Sequence, residues 1–174
     1  GDTLRKGISI ENTDVSWMSA EEARELVSER IKEDYPKQSV TLRYKDKTWD
    51  LKLKEIDYSF SVDEAVKQAF SMARTGNFFK DVYSSILLSV NKQNVNIGIN
   101  YNREKIKSLL KKIKKDCDIN GKNATISYEN GNVKFEKEVN SRNLDIDRNL
   151  DLIENQLLKR DFSDIELQVE EIKP

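Results

Sequence analysis

The chain has 174 residues, 37% hydrophobic and 35% charged, with 30 Lys and Arg against 31 Asp and Glu. That apolar content recurs at regular spacing, which excludes intrinsic disorder; the balanced charge lacks the basic excess of a nucleic-acid binder, and no apolar run reaches the roughly 18 residues of a membrane span. The sequence holds no histidine and one cysteine, which removes Ser-His-Asp and Cys-His catalysis, the usual zinc sites and any internal disulfide.

No secretory signal precedes the first strand-like segment. Gly1 and the abrupt ends read as an excised piece of a longer protein. Gly7-Ile8-Ser9-Ile10 alternates as a short strand. Ser19-Ala20-Glu21-Glu22 is a capping box opening a helix with Ala23, Leu26, Val27 and Ile31 on its apolar stripe, and Met18 is placed for a staple against Ala23. Pro36 ends it. Residues 40–44 and 48–53 alternate around Lys45-Asp46-Lys47, a β-hairpin. A second capping box, Ser61-Val62-Asp63-Glu64, opens a helix carrying Ala65, Val66, Ala69, Phe70 and Ala73, with Gly76 as its stop.

Phe79, Val82, Tyr83, Ile86 and Leu87 recur with helical period, and Val95, Ile97 and Ile99 alternate as a strand. Asn102 caps a helix whose core positions are Ile106, Leu109, Leu110, Ile113 and Cys117. Residues 124–128 and 132–135 flank Asn130-Gly131, a strong hairpin signal because both turn positions need positive φ. A last helix carries Ile146, Leu150, Ile153 and Leu157. Ile165–Val169 forms a final strand.

The order strand, helix, hairpin, helix occurs twice. A shift of about 84 residues lays Tyr44 on Tyr128, Trp49 on Val133, Leu51 on Phe135, Phe60 on Leu144 and Asp63 on Asp147. Apolar falls on apolar at nearly every inward-facing place. The expected fold is therefore α+β: two homologous strand-helix-hairpin-helix halves packed as one mixed module, residues 1–90 being the first repeat with its connector and 91–174 the second. Residues 76–94 have no counterpart.

These residues resemble a known family. Asn12-Thr13-Asp14-Val15-Ser16-Trp17-Met18-Ser19-Ala20-Glu21-Glu22-Ala23 is similar to the opening of the peptidoglycan-binding domain found beside L,D-transpeptidase domains and in VanW-like proteins. Thr48-Trp49, Ile56-Asp57-Tyr58, Ala65, Ala69, Arg74-Thr75-Gly76-Asn77 and Ile99-Asn100-Tyr101 fit the same pattern. Trp17 stands where the family commonly has Gly, and Asp57 departs from a frequent Leu-Gly-Tyr. The resemblance implies an extracytoplasmic module of a Gram-positive envelope protein, cell-wall or membrane-anchored, that holds peptidoglycan or another wall polymer for a neighbouring catalytic domain of the same chain. The Ser-His-Gly-Cys type signature of the transpeptidase is absent from the sequence.

Each candidate residue also has a structural role to offer. Trp17 and Trp49 could stack on the apolar face of a pyranose, or pack. Arg74 with Asn77 could pair a peptide-stem carboxylate, or cap a helix C-terminus. The basic run Arg103–Lys115 could meet anionic wall polymers, or be a solvated face over a core stripe. Cys117 falls on that stripe and is expected to be buried. Asp145, Asp147, Glu21 and Glu22 read as caps and first-turn charges, not as a hydrolase pair. The expected function is a non-catalytic peptidoglycan-binding or presenting module, with no cofactor and no membrane insertion. The alternatives are a spacer or protein-interaction domain without glycan affinity and a carboxylate-based hydrolase.

Overall fold

Capping and alternation decide where the elements begin. In the computed structural model, which describes residues 3–4, 7–33, 38–73 and 93–174, Glu22 N donates to Ser19 Oγ (3.2 Å) and Ser19 N to Glu22 Oε2 (3.1 Å). This reciprocal box opens helix α1, Ala20–Glu33, which buries Ala23, Val27 and Ile31. Helix α2 spans Val62–Ala73, α3 Arg103–Cys117 and α4 Ile146–Leu158. Asn102 caps α3 by accepting from Lys105 N (3.2 Å), and Asp145 caps α4 by accepting from Arg148 N (3.1 Å). The helix read from Phe79 to Leu87 and the stop at Gly76 lie outside the described residues.

The strands gather in small sheets, so the fold is α+β. The chain divides into two compact units built from interleaved segments. Unit 1 is Gly1–Pro36 with Tyr58–Tyr101, and unit 2 is Lys37–Asp57 with Asn102–Pro174.

In unit 1, β1 (Ile8–Ile10) pairs antiparallel with β2 (Thr13–Asp14) and parallel with β6 (Gln93–Val95). Strand β5 (Ser59–Phe60) pairs antiparallel with β7 (Ile99–Asn100). Helices α1 and α2 cover a core of Leu4, Ile8, Ile10, Val15, Ala23, Val27, Val66, Ala69 and Val95. The strand expected over residues 95–99 is broken. Ile97 N turns to Glu11 Oε1 (3.1 Å) and Gly98 O accepts Ser61 N (2.8 Å), which splits β6 from β7.

In unit 2, β3 (Ser39–Tyr44) and β4 (Lys47–Lys52) form the first hairpin, turning at Lys45 with φ +53°. A 3-10 turn, Leu53–Ile56, follows. Strand β11 (Ile165–Glu166) joins β3 in parallel, Ile165 opposite Leu42. The expected last strand bends after Leu167 because the buried Asn149 side chain captures Gln168. Asn149 Nδ2 donates to Gln168 O (2.9 Å) and to Asp145 O (2.7 Å), and Gln168 N donates to Asn149 Oδ1 (2.8 Å). Strand β12 (Val169–Ile172) then pairs with β10 (Ser141–Leu144). The α3 stripe of Ile106, Leu110, Ile113 and Cys117 packs with Leu144, Leu150, Ile153 and Leu157 in the core, and Leu109 is half-buried.

The second hairpin, β8 (Thr125–Glu129) and β9 (Asn132–Glu136), turns at Asn130 (φ +52°) and Gly131 (φ +79°) as its sequence requires. Its apolar residues are not inward-facing, against expectation: every residue of both strands is exposed. Alternation makes one face apolar but cannot supply the surface that covers it.

Candidate ligand-binding surfaces

Trp17 is held out by its neighbours. Val15 and Leu4 are fully buried, Trp17 N donates to Leu4 O (2.8 Å), and Leu4 N donates to Met18 O (2.7 Å). Ser16 N reaches Asp14 Oδ1 (2.9 Å), closing a tight polar turn. With both sides pinned, Trp17 adopts φ +65° and leaves its indole 64% exposed. A β-carbon in this left-handed region is strained, on the order of 1 kcal/mol or more. A glycine here would carry no such cost. The indole is therefore largely exposed and is not a core residue.

Trp49 falls between the extremes. Leu51 and Leu53, its neighbours on the hairpin face, are buried, while Trp49 is half-buried at the mouth of an open cavity of about 320 Å3. Lys47, Thr48, Trp49 and Asp116 line it. Trp49 Nε1 donates to Asp116 Oδ2 (3.3 Å) and Lys47 Nζ to Asp116 O (3.0 Å), so the end of α3 fixes both hairpin side chains. A flat ring, an ammonium, a hydroxyl and a carboxylate around one opening suit a ligand carrying both a sugar face and charged peptide groups. Sequence reasoning missed Lys47 and Asp116, because their meeting depends on a contact 69 residues apart in the chain.

Arg74 and Asn77, expected to bind a peptide-stem carboxylate, lie outside the described residues. The basic helix is partly engaged in ion pairs. Arg103 pairs with Glu154 (2.7 Å), Lys105 with Asp57 (3.0 Å) and Lys114 with Asp118 (2.7 Å), and the apolar stripe of α3 is used by the core. The Glu154 partner raises the Arg103 pKa further. Lys111, Lys112 and Lys115 are exposed. Lys112 edges a second, smaller cavity of about 160 Å3 with Lys52, Lys105, Glu55, Ser108 and Leu109.

Cys117 is buried, as its place on the α3 stripe requires, and desolvation pushes its thiol pKa up. Asp145 and Glu22 act as cap and capping-box residues. Among the described residues no cluster of three metal-ligating side chains occurs, and no helix is long and apolar enough to cross a membrane.

No curated protein and no solved structure matches the chain. Residues 49–166, more than half of the chain and including Trp49, Lys105 and Asp116, match the family described as "Putative peptidoglycan binding domain". That match covers most of the chain, which belongs to the peptidoglycan-binding domain family, whose role is at the cell wall.

Proposed function

We propose that this chain is a non-catalytic module that binds peptidoglycan and presents it to a catalytic domain on the same polypeptide, within a Gram-positive envelope protein of the L,D-transpeptidase or VanW-like kind. The observation that carries the reading is Trp17, a large indole kept 64% exposed at φ +65°. An exposed aromatic held at an energetic cost is a site hypothesis, since packing offers no compensation. Trp17 stacks on a pyranose, with Arg74 and Asn77 taking the stem carboxylate; the Trp49 opening, with Lys47 and Asp116, offers a second place on unit 2. The interaction is noncovalent and raises the local concentration of wall strands near the partner enzyme.

Two copies of one ancestral repeat, 1–90 and 91–174, make up the chain in this reading. The element spacing supports it. Helix α3 starts 83 residues after α1 (Ala20, Arg103), and α4 starts 84 after α2 (Val62, Ile146).

Pelleting of the purified chain with washed sacculi, and with sacculi stripped of teichoic acid, tests the function across salt. Retention on stripped sacculi that Trp17→Ala reduces several-fold supports it. No pelleting in either case means a spacer or interaction domain, and pelleting lost on stripping or at moderate salt means binding through the lysines of α3.

A further inference from the structure

The two hairpins correspond in sequence and differ in burial. At a shift of 84 residues Leu42, Tyr44 and Leu51 fall on Ile126, Tyr128 and Phe135. Leu42 and Leu51 are fully buried and Tyr44 nearly so. Ile126, Tyr128, Val133 and Phe135 are 60–75% exposed. The cross-strand pairs Ile126–Phe135 and Tyr128–Val133 put all four on one face, while Ser127, Glu129, Asn132, Lys134 and Glu136 take the other. The pairing register differs by two residues, since Leu42 faces Trp49 and Ile126 faces Phe135. A two-residue slip leaves the apolar face unchanged.

What covers the first hairpin is visible. It lies in sequence between α1 and α2 of unit 1, yet it belongs to unit 2, which begins again only at Asn102. There α3 covers its face and β11 extends its β3 edge in parallel. Unit 2 takes its β3–β4 hairpin from the chain segment preceding its own helices, and then extends a hairpin of its own from between α3 and α4. Paired bonds hold the base of that arm: Ile119 and Arg142 exchange two (3.0 and 2.9 Å), as do Lys122 and Val139 (2.9 and 2.8 Å). The arm stands exposed, and among the described residues β8 pairs only with β9.

We infer that the β8–β9 arm is a docking element whose occupant is a third α/β unit of the same repeat, arranged in tandem, which seats the arm as unit 2 seats β3–β4. An amphipathic helix would cover Ile126, Tyr128, Val133 and Phe135, and an edge strand would add in parallel to β8. Size argues against a second copy packed hairpin to hairpin. A two-stranded face of five-residue strands offers well under the roughly 800 Å2 per partner of a stable interface, whereas a helix-and-strand seat buries both face and edge. The inference stands on the hairpin comparison and does not require glycan binding.

The test fuses the intact chain, through a linker of about ten flexible residues, to an added copy of residues 102–174, which lacks a β3–β4 hairpin. Cys117→Ala in the first copy leaves the added Cys117 as the sole thiol. Seating by the arm protects that thiol from a thiol reagent under native conditions. The pair Ile126→Ser and Phe135→Ser in the first copy then speeds labelling at least tenfold, while the melting of the unfused chain carrying the same pair stays unchanged. A thiol that reacts fast in both fusions, or stays protected in both, overturns the inference. So does a concentration-dependent dimer of the unfused chain that the serine pair abolishes, which makes a second copy the occupant. Loss of sacculus binding by the serine pair overturns it too, since the face is then a glycan platform; glycan binding that fails for other reasons leaves the thiol result to be read independently.

Discussion

The Tyr44 hydroxyl donates to Glu171 Oε1, joining the first hairpin to the last strand of unit 2 across 127 residues of chain. The same carboxylate oxygen accepts Lys45 Nζ (2.6 Å) and Arg142 Nε (3.3 Å), and the Lys45 and Arg142 cations lie within 6 Å of the Tyr44 ring centroid. Burial, with the bond to Glu171 second, pushes the Tyr44 pKa up to about 12. A raised acid pKa in the folded state favours the neutral phenol. Its contribution to stability is complete below the ordinary tyrosine value near 10 and is lost as pH rises toward 12. Tyr44→Phe should flatten the loss of unit 2 stability over that alkaline window, read by denaturant midpoints at several pH values.

Glu171 shifts the opposite way. The Lys45 bond first, then Tyr44, holds its carboxyl below the usual carboxylate range. Its stabilisation is present above the unfolded value near 4.3 and disappears as pH falls through the lower folded value. Glu171→Gln should make stability less dependent on pH in the acid limb and, because the carboxylate also helps raise the Tyr44 pKa, should shrink the alkaline loss as well.

Asn149 makes three hydrogen bonds from a fully buried position. Asn149→Ala would leave Gln168 N–H and two carbonyls without those partners, a loss of about 2–4 kcal/mol. Asn149→Asp should cost at least as much, because a carboxylate cannot donate to Gln168 O and Asp145 O. Urea denaturation of both variants measures this, and a loss below about 0.5 kcal/mol for either contradicts the assignment.

At Trp17 stability and binding should separate. Trp17→Gly relieves the positive φ and is expected to stabilise unit 1 by about 1 kcal/mol, whereas Trp17→Ala keeps the β-carbon and gains nothing. Both remove the indole and should weaken sacculus binding equally. Calorimetry alongside pelleting distinguishes the two effects.

Cys117 should resist a thiol reagent in the native chain and react once denaturant opens unit 2. Fast native labelling would contradict the buried position.

Local signals were readable in advance. Ser19 with Glu22, Asn102 and Asp145 announced helix starts, and Asn130-Gly131 announced its turn, because each works through backbone groups within four residues. Cys117 followed from the period of the α3 stripe. What depends on distant chain was not readable. The β3–β4 hairpin lies next to α1 in sequence but takes its cover from α3 and its third strand from β11. Alternation could not tell the covered hairpin from the bare one. Asn149 carries no signal in the sequence, since only the bend at Gln168 gives it a purpose. Trp17 stands out in the sequence as an aromatic that could stack or pack, but its positive φ arises from tethers to Leu4 that no local pattern reveals.

If Trp17 is the glycan-binding indole, the chain should hold wall strands through it and leave them intact. The most direct measure of this is an intrinsic-fluorescence titration of Trp49→Phe, in which Trp17 is the remaining tryptophan, with soluble uncross-linked peptidoglycan strands. A saturable shift of the Trp17 emission, with the strands recovered at unchanged length, is the expected result. An emission that does not respond at any strand concentration, or strands shortened by the chain alone, would contradict it.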